Sequence, residues 1–496
     1  MKMIDNFKKK VYDFVMGGKP MEVKEDKNTD MYNEQIENKI WYNGNSRLLS
    51  DYYGQYSADN DIKYNYFWSK SYTNMNMRKI HGGLPAQMVD KLVQITLRDG
   101  YEVSVEEVNS DIKVKRADKV NSKVQVKLEN IFTDNGFEAL IKTAVTSSLV
   151  NPRGAFKLSS DADVTDYPII EYVEATNVEL VKRRNRLFEV KFKNYYTKGN
   201  KKYCLYENYG KGYIQAELYE VKQNELNPVG LDAIEEAKEY AQYENGIKPL
   251  EHDFIYAIPV EIYEDSLFDK KKDIFDGIDE VLSIMGGAVR SSVIKQYIPE
   301  NMLPRSTRTG EILKPDGFDD TYILTADTGS EKPNKIETVQ PDIDLNAYEG
   351  TLKNYIYQAL LGILSPSTLG LDMAGKDNAE AQREREKTSI FTRTDIIRTL
   401  EAIIKEVAIK VLIMDGAINE NLLETNEVCV EFGEYASISF EDKVDTMAKA
   451  KEILPASVII DELYGDSKSD EEKALIVEEL NKTNINVDFN DMLPKE

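Results

Sequence analysis

The sequence predicts an α+β fold, and three observations carry that expectation. Period-two apolar alternation is concentrated between Tyr101 and Val221, so strands gather in one stretch of chain. After Lys272 the texture changes to long runs of helical period. Apolar residues make up 41% of the 496 residues and aromatics 10%, which fills a core and excludes wholesale disorder. A chain this long predicts about three units rather than one simple domain.

Met1 to Gly18 places Ile4, Phe7, Val11, Phe14 and Val15 at helical spacing around Lys8, Lys9 and Lys10, which predicts a short amphipathic helix docked on the body. It lacks the unbroken apolar stretch of a signal peptide. Residues 19–36 are polar and read as a linker running into a helix. Ser46 to Tyr53 suits a short helix. His81 to Asp99 predicts another, with Leu84, Met88, Leu92 and Ile95 on one face and Pro85 in the first turn, where proline is tolerated. Strands are predicted at Tyr101–Val105, at residues 112–116 and at residues 123–128 (KVQVKL), and a helix from Gly136 to Val150. The next hundred residues read mostly as strands (AFKLSS, IIEYVEATNVELV, LFEVKFKNYY, KYCLYENY, GYIQAELYEV), with a surface helix over Leu231–Tyr243.

Asp273 to Ile298 keeps helical period over many turns, with Asp273 as cap and Pro299 as stop. Residues 299–344 carry five prolines and the strand-like TYILTA, and read as a small β-rich insertion. Leu345 to Leu364 is a second helix, ended by Ser365-Pro366. A Gly/Pro loop follows, Ser365 to Asn378, whose single lysine is Lys376. Asp377 with Glu380 has capping-box spacing for a long helix that runs to Asp415 and stops at Gly416. The tail from about Glu441 reads as helical and acidic. Asp461 to Glu496 holds eleven acidic residues against four lysines, a net of −7.

Charge and composition exclude several functions. The balance is 63 − 87 = −24, the opposite of the basic footprint of a free-standing DNA-binding or membrane-surface protein. It remains compatible with letting a polyanion slide past, because repulsion prevents sticking. Two cysteines, Cys204 and Cys429, make neither a disulfide framework nor a zinc cluster. Two histidines, His81 and His252, leave little for a metal site or a Ser-His-Asp triad. No run of 18 apolar residues predicts a membrane span. Gly17-Gly18-Lys19-Pro20 lacks the spacing of a phosphate loop. His81 reads as a residue that starts a helix. Gly286-Gly287 predicts close packing or a bend. The expectation is therefore no catalytic residue, no cofactor and no metal.

The order of parts is distinctive: a mixed α/β region, a long apolar helix, a small β insertion, a second helix, a Gly/Pro loop, a very long helix and an acidic tail. Together with the segment RKIHGGLPAQMVDKLVQITLRDG and the junction YQALLGILSPSTLGLDMAGKDNAEAQREREK, it resembles the portal proteins of tailed bacteriophages, in particular long-tailed phages of Gram-positive hosts. The resemblance spans residues 35–480, and 1–36 have no assigned role.

That resemblance implies a portal-like fold divided as follows: wing, residues 37–272; first stem helix, 273–298; clip, 299–344; second stem helix, 345–364; tunnel loop, 365–378; long wing helix and following strands, 379–440; crown and tail, 441–496. It implies a homo-oligomeric ring of about twelve copies closed by head-to-tail contacts. Double-stranded DNA would pass the channel without sequence preference, past Ser365, Ser367, Thr368, Leu369, Asp372 and Lys376. Clip residues Arg305, Arg308 and Lys314 would meet partners. Those partners are the terminase large subunit and the head-tail adaptor protein, with major capsid and scaffolding proteins around the ring and no membrane. The location implied is the portal vertex of the virion capsid, after assembly in host cytoplasm. Two other readings stand beside it: another virion part such as a tail or baseplate component, and a glycan-binding or carbohydrate-active protein, prompted by the 30 tyrosines and many carboxylates.

Overall fold

The structure is a computed structural model that describes residues 29–55, 65–70, 78–107, 122–222, 225–292, 295–299, 302–303, 305–311, 322–325, 335–340, 342–371, 379–418, 426–433, 457–460 and 473–477. It mixes helix and sheet, as the sequence predicts. The expected helix at 1–18, the linker before residue 29, the strand at 112–116 and most of the tail from 441 lie outside the described residues.

The first layer is helical. Helices α1 (Thr29–Asn43), α2 (Ser46–Gly54), α3 (Leu84–Leu97), α4 (Ser122–Asp134) and α5 (Phe137–Val150) surround strand β1 (Tyr101–Glu107). Asn45 caps α2 by accepting the N–H groups of Arg47 and Leu48, which would otherwise lack partners. Helix α4 corrects the strand expected at 123–128. Val124, Val126 and Leu128 alternate, but Val124, Leu128 and Ile131 also fall on one helical face, and those three are buried while Val126 is 53% exposed.

Strands β2 (Gly154–Ser159), β3 (Ile169–Val173) and β10 (Ala257–Val260) form a three-stranded antiparallel sheet, with β2 in the middle. Strands β4 (Val178–Arg183), β5 (Arg186–Lys198), β6 (Lys201–Gly210), β7 (Tyr213–Lys222) and β8 (Glu225–Val229) form a meander, and β9 (Ile247–Pro249) adds to β7. The run IIEYVEATNVELV is two strands, divided by a 3₁₀ turn at Ala175–Asn177. The surface helix expected over Leu231–Tyr243 is instead two 3₁₀ turns and a single helical turn, α6 (Lys238–Ala241). Ile234, Ala237 and Tyr240 point inward at three-residue spacing, which suits the tighter turn.

The C-terminal half adds three long helices: α7 (Lys272–Ser291), α8 (Leu345–Leu360) and α9 (Ala379–Met414). Between α7 and α8 lies a small sheet of β11 (Lys295–Pro299), β12 (Tyr322–Thr325) and β13 (Glu337–Val339), with β11 central. The helix expected to reach Ile298 therefore ends at Ser291. Strands from 25 or more residues downstream capture 295–299, a pairing that local periodicity does not encode. Asp273 lies in the first turn and is not the cap, and no side chain bonds that end.

Helix α9 organises the core. Ile396, Leu400, Ile404, Val407 and Val411 are buried against α3, α4, β10 and the last strand, β14 (Asn426–Phe432), which pairs antiparallel with β1. Gly416, at φ +70°, ends the helix where expected. Asp377, the expected cap, lies outside the described residues.

Candidate functional site at the helical hairpin and the break above it

Helices α7 and α8 form an antiparallel hairpin. Lys271, just before α7, donates to the carbonyls of Gln358 and Leu361 at the end of α8. One turn and a half further along α7, the Tyr355 ring covers Gly277. A Cβ at Gly277 would sit 3.3 Å from Tyr355 Cζ, so glycine permits the close approach. Gly286, expected to pack tightly, has only an ordinary contact with Ile80, and α7 runs through it without interruption.

The hairpin is buried at its root and exposed toward its tip. Phe275, Ile278, Ala359 and Leu360 are buried, whereas Ile284, Val289 and Leu345 are exposed. The small β11–β13 sheet sits at the tip end, because β11 follows α7 directly and α8 starts soon after β13.

A polar network pins the root of α7. Asp276, Asp279 and Ser283 lie on one face at i, i+3 and i+7. Asp276 accepts the backbone N–H groups of Phe67 and Trp68 at 2.6 and 3.3 Å. Asp279 accepts from the Trp68 indole at 3.1 Å, the Gly82 N–H at 2.8 Å and His81 Nδ1 at 2.6 Å. Ser283 accepts from Ile80 N–H and donates to the Asp279 carbonyl. Burial pushes Asp276 up to about 7, the Asp279 and Glu280 charges push the same way, and the two backbone donors oppose it. Lys79, donating to the carbonyls of Phe67, Trp68 and Lys70, is pulled down to about 8 by burial. His81 thus does more than start α3, whose N-cap is Gly83. Its ring lies between Trp41 and Trp68, at 5.6 and 6.4 Å. The sequence held a signal for this network, three polar residues at helical spacing within an apolar helix, but not the identity of their donors.

Above the root the chain breaks between α8 and α9. Gly362 and Gly370 take φ +80° and +71°, the left-handed region that favours glycine. Between them, residues Pro366–Leu369 form a 3₁₀ turn with proline at its start. Two hydroxyls of α9 hold it. Ser389 Oγ accepts from Ser365 N–H at 2.8 Å and lies 2.6 Å from Thr368 Oγ1, and Thr392 donates to the Ile363 carbonyl at 2.7 Å.

Of the residues expected to line a channel, Ser365 and Thr368 are buried against α9, so here they anchor the turn. The Ser367 hydroxyl is buried without a hydrogen-bond partner among the described residues. Leu369 packs on the core and reaches a groove between α3 and α5. Leu371 points to solvent, 52% exposed. Asp372 and Lys376 lie outside the described residues. Arg305 and Arg308 are exposed in a tight turn closed by Ser306 and Gly310, and Lys314 lies outside the described residues.

Among the described residues, no group of three or more His, Cys, Asp or Glu side chains is arranged to hold a metal ion, and no helix is long and apolar enough to cross a membrane. No protein-family model matches the chain, and no curated protein matches it.

Proposed function

We propose that this chain is the subunit of a ring-forming portal, a non-enzymatic conduit for double-stranded DNA at a capsid vertex. One observation supports the reading above the others. An antiparallel hairpin with an apolar, exposed outer half carries a small sheet, then passes through a glycine-bounded break into a 36-residue helix. Those parts follow the order of stem, clip, tunnel loop and long wing helix that the sequence resemblance implies, which supports the reading. The outer faces of α7 and α8 suit contacts with neighbouring copies, which would remove Ile284, Val289 and Leu345 from water. A net charge of −24 per copy favours repulsion of the phosphates of passing DNA over contacts that would slow it. Terminase and a head-tail adaptor would meet the β11–β13 end, near Arg305 and Arg308.

Negative-stain electron microscopy and mass photometry of the purified chain test the proposal. Closed rings of about twelve copies with a central bore are expected. A stable monomer across protein concentration and salt would sink it.

A further inference from the structure

The groove beside Leu369 is lined by three cations, Lys91, Arg98 and Lys142, and one carboxylate, on a chain that is acidic overall. Its volume is about 930 Å³, between α3 and α5. On α3, Gln87, Lys91, Gln94 and Arg98 follow one another at i, i+4, i+7 and i+11, so one helical face lines the groove with amides and cations. On α5, Lys142 and Thr146 face them. The carboxylate in the lining, Asp90, accepts a hydrogen bond from Tyr42. The groove continues past Tyr42, Lys142 and Thr146 into a second cavity of about 310 Å³. Lys91 and Lys142 form no ion pair with a described residue, and Arg98 reaches only Asp99, at 4.0 Å on the surface.

The same chain carries a shape and charge opposite to this groove. The loop after β2 presents Asp161, Asp163 and Asp166 around Val164. Val164 is 72% exposed, and no described large apolar side chain is more so. The loop is held in one shape: Asp161 accepts from the N–H groups of Asp163, Val164 and Thr165, and Thr165 donates to Asp134 at the end of α4. A held, projecting apolar tip ringed by carboxylates loses little entropy on docking. Its exposure also shows that it does not occupy its own chain's groove.

We infer that the Asp161–Asp166 loop of one copy seats in the α3/α5 groove of a second copy, with Val164 against the apolar floor and its carboxylates against Lys91, Arg98 and Lys142. The inference rests on the ring reading for its geometry: plug and groove are different surfaces, so each copy uses both, and the contact closes a ring or extends a chain. Copies of charge −24 repel at long range, and local charge of opposite sign at a docking contact offsets that repulsion and fixes its register.

Thiol cross-linking tests the contact. In a Cys429→Ser background, chains carrying Val164→Cys and chains carrying Gln94→Cys are mixed with a short bismaleimide. A covalent pair is expected in the mixture and not in either variant alone. Lys142→Glu on the groove chain should lower its yield about fivefold, and Asp163→Lys on the plug chain should restore it. Melting temperatures within a degree or so of the parent keep the comparison valid, since all these sites are on the surface. Rings without the cross-link overturn the contact and leave the conduit reading standing. The cross-link in open chains supports the contact and sinks the conduit. No cross-link and no oligomer sinks both. Yield unchanged by Lys142→Glu, or binding of a duplex oligonucleotide that Lys142→Glu abolishes without any cross-link, overturns the inference.

Discussion

His81 Nδ1 lies 2.6 Å from Asp279 Oδ2, and both side chains are sealed from solvent, at 3% and 2% exposure. The two residues are 198 positions apart. Their pairing joins the segment before α3 to the root of the α7–α8 hairpin. The same carboxylate accepts from Trp68 and Gly82, so one side chain satisfies three donors.

Removing that carboxylate should be costly. Asp279→Ala leaves the His81, Trp68 and Gly82 donors buried without an acceptor, and unsatisfied buried donors cost about 1–3 kcal/mol each. A loss of about 3–5 kcal/mol in urea unfolding is expected, with ultraviolet-excited tryptophan emission shifting red as water reaches Trp68. A loss below about 1 kcal/mol would show that the network contributes little.

The neighbouring Asp276 gives a pH signature. Its carboxyl is pushed up to about 7, well above the ordinary 3.8, because burial disfavours its charge. The folded chain therefore holds this proton more tightly than the unfolded chain. The stabilisation is fully present below about pH 4 and is lost as pH rises through about 7. Asp276→Asn keeps an oxygen for the Phe67 N–H and carries no charge. The stability of this variant relative to the parent should climb between pH 4 and 7 and then level off, by at most about 4 kcal/mol. Parallel curves for the two proteins over that range would refute the assignment.

Ser389 should govern the break between α8 and α9. Ser389→Ala strips the acceptor from Ser365 N–H and the partner from Thr368, both buried. A cost of about 1–3 kcal/mol is expected. Amide exchange at 363–371 should rise well before global unfolding, because these bonds act locally. Gly370→Ala, at φ +71°, should cost about 1 kcal/mol by strain alone. Uniform exchange across α9 and the break would count against a local anchor.

Arg393 ties three elements together. Its Nε donates to the Ile95 carbonyl of α3 at 2.8 Å, and its Nη2 donates to the Gly433 carbonyl after β14. Arg393→Lys offers one ammonium where a planar fork reached two sites. Both Arg393→Lys and Arg393→Met should destabilise the chain by about 2 kcal/mol in thermal or urea unfolding, with lysine no better than methionine. Full retention of stability in the lysine variant would show that charge alone suffices.

Much of the fold was legible wherever one element buries one face by itself. Strands β5 and β7 alternate, helices α3, α5, α8 and the second half of α9 keep a single apolar stripe, and Gly416 ends α9 where the sequence predicts. The misreadings have specific causes. Val124 to Leu128 fits both periods, and only the exposure of Val126 separates them. Residues 295–299 continue the helical pattern of α7, yet distant strands claim them. The sequence places the break at Ser365-Pro366, with Gly370 and Gly375 in the loop, whereas α8 already ends at Leu360 and Gly362 takes a left-handed φ; nor does it give the inward orientation of Ser365 and Thr368, since hydroxyls read as loop residues until Ser389 stands opposite them.

The sequence by itself determined most of the helices and strands, the strongly acidic balance and the presence of a break between α8 and α9, because propensity, periodicity and charge are carried by residues close along the chain. Only the tertiary structure decided that His81 meets Asp279, that Arg393 reaches two distant carbonyls and that Lys91, Arg98 and Lys142 line one groove. Those pairings join residues up to 298 positions apart, and their energy depends on burial and direction, which no local stretch of sequence specifies.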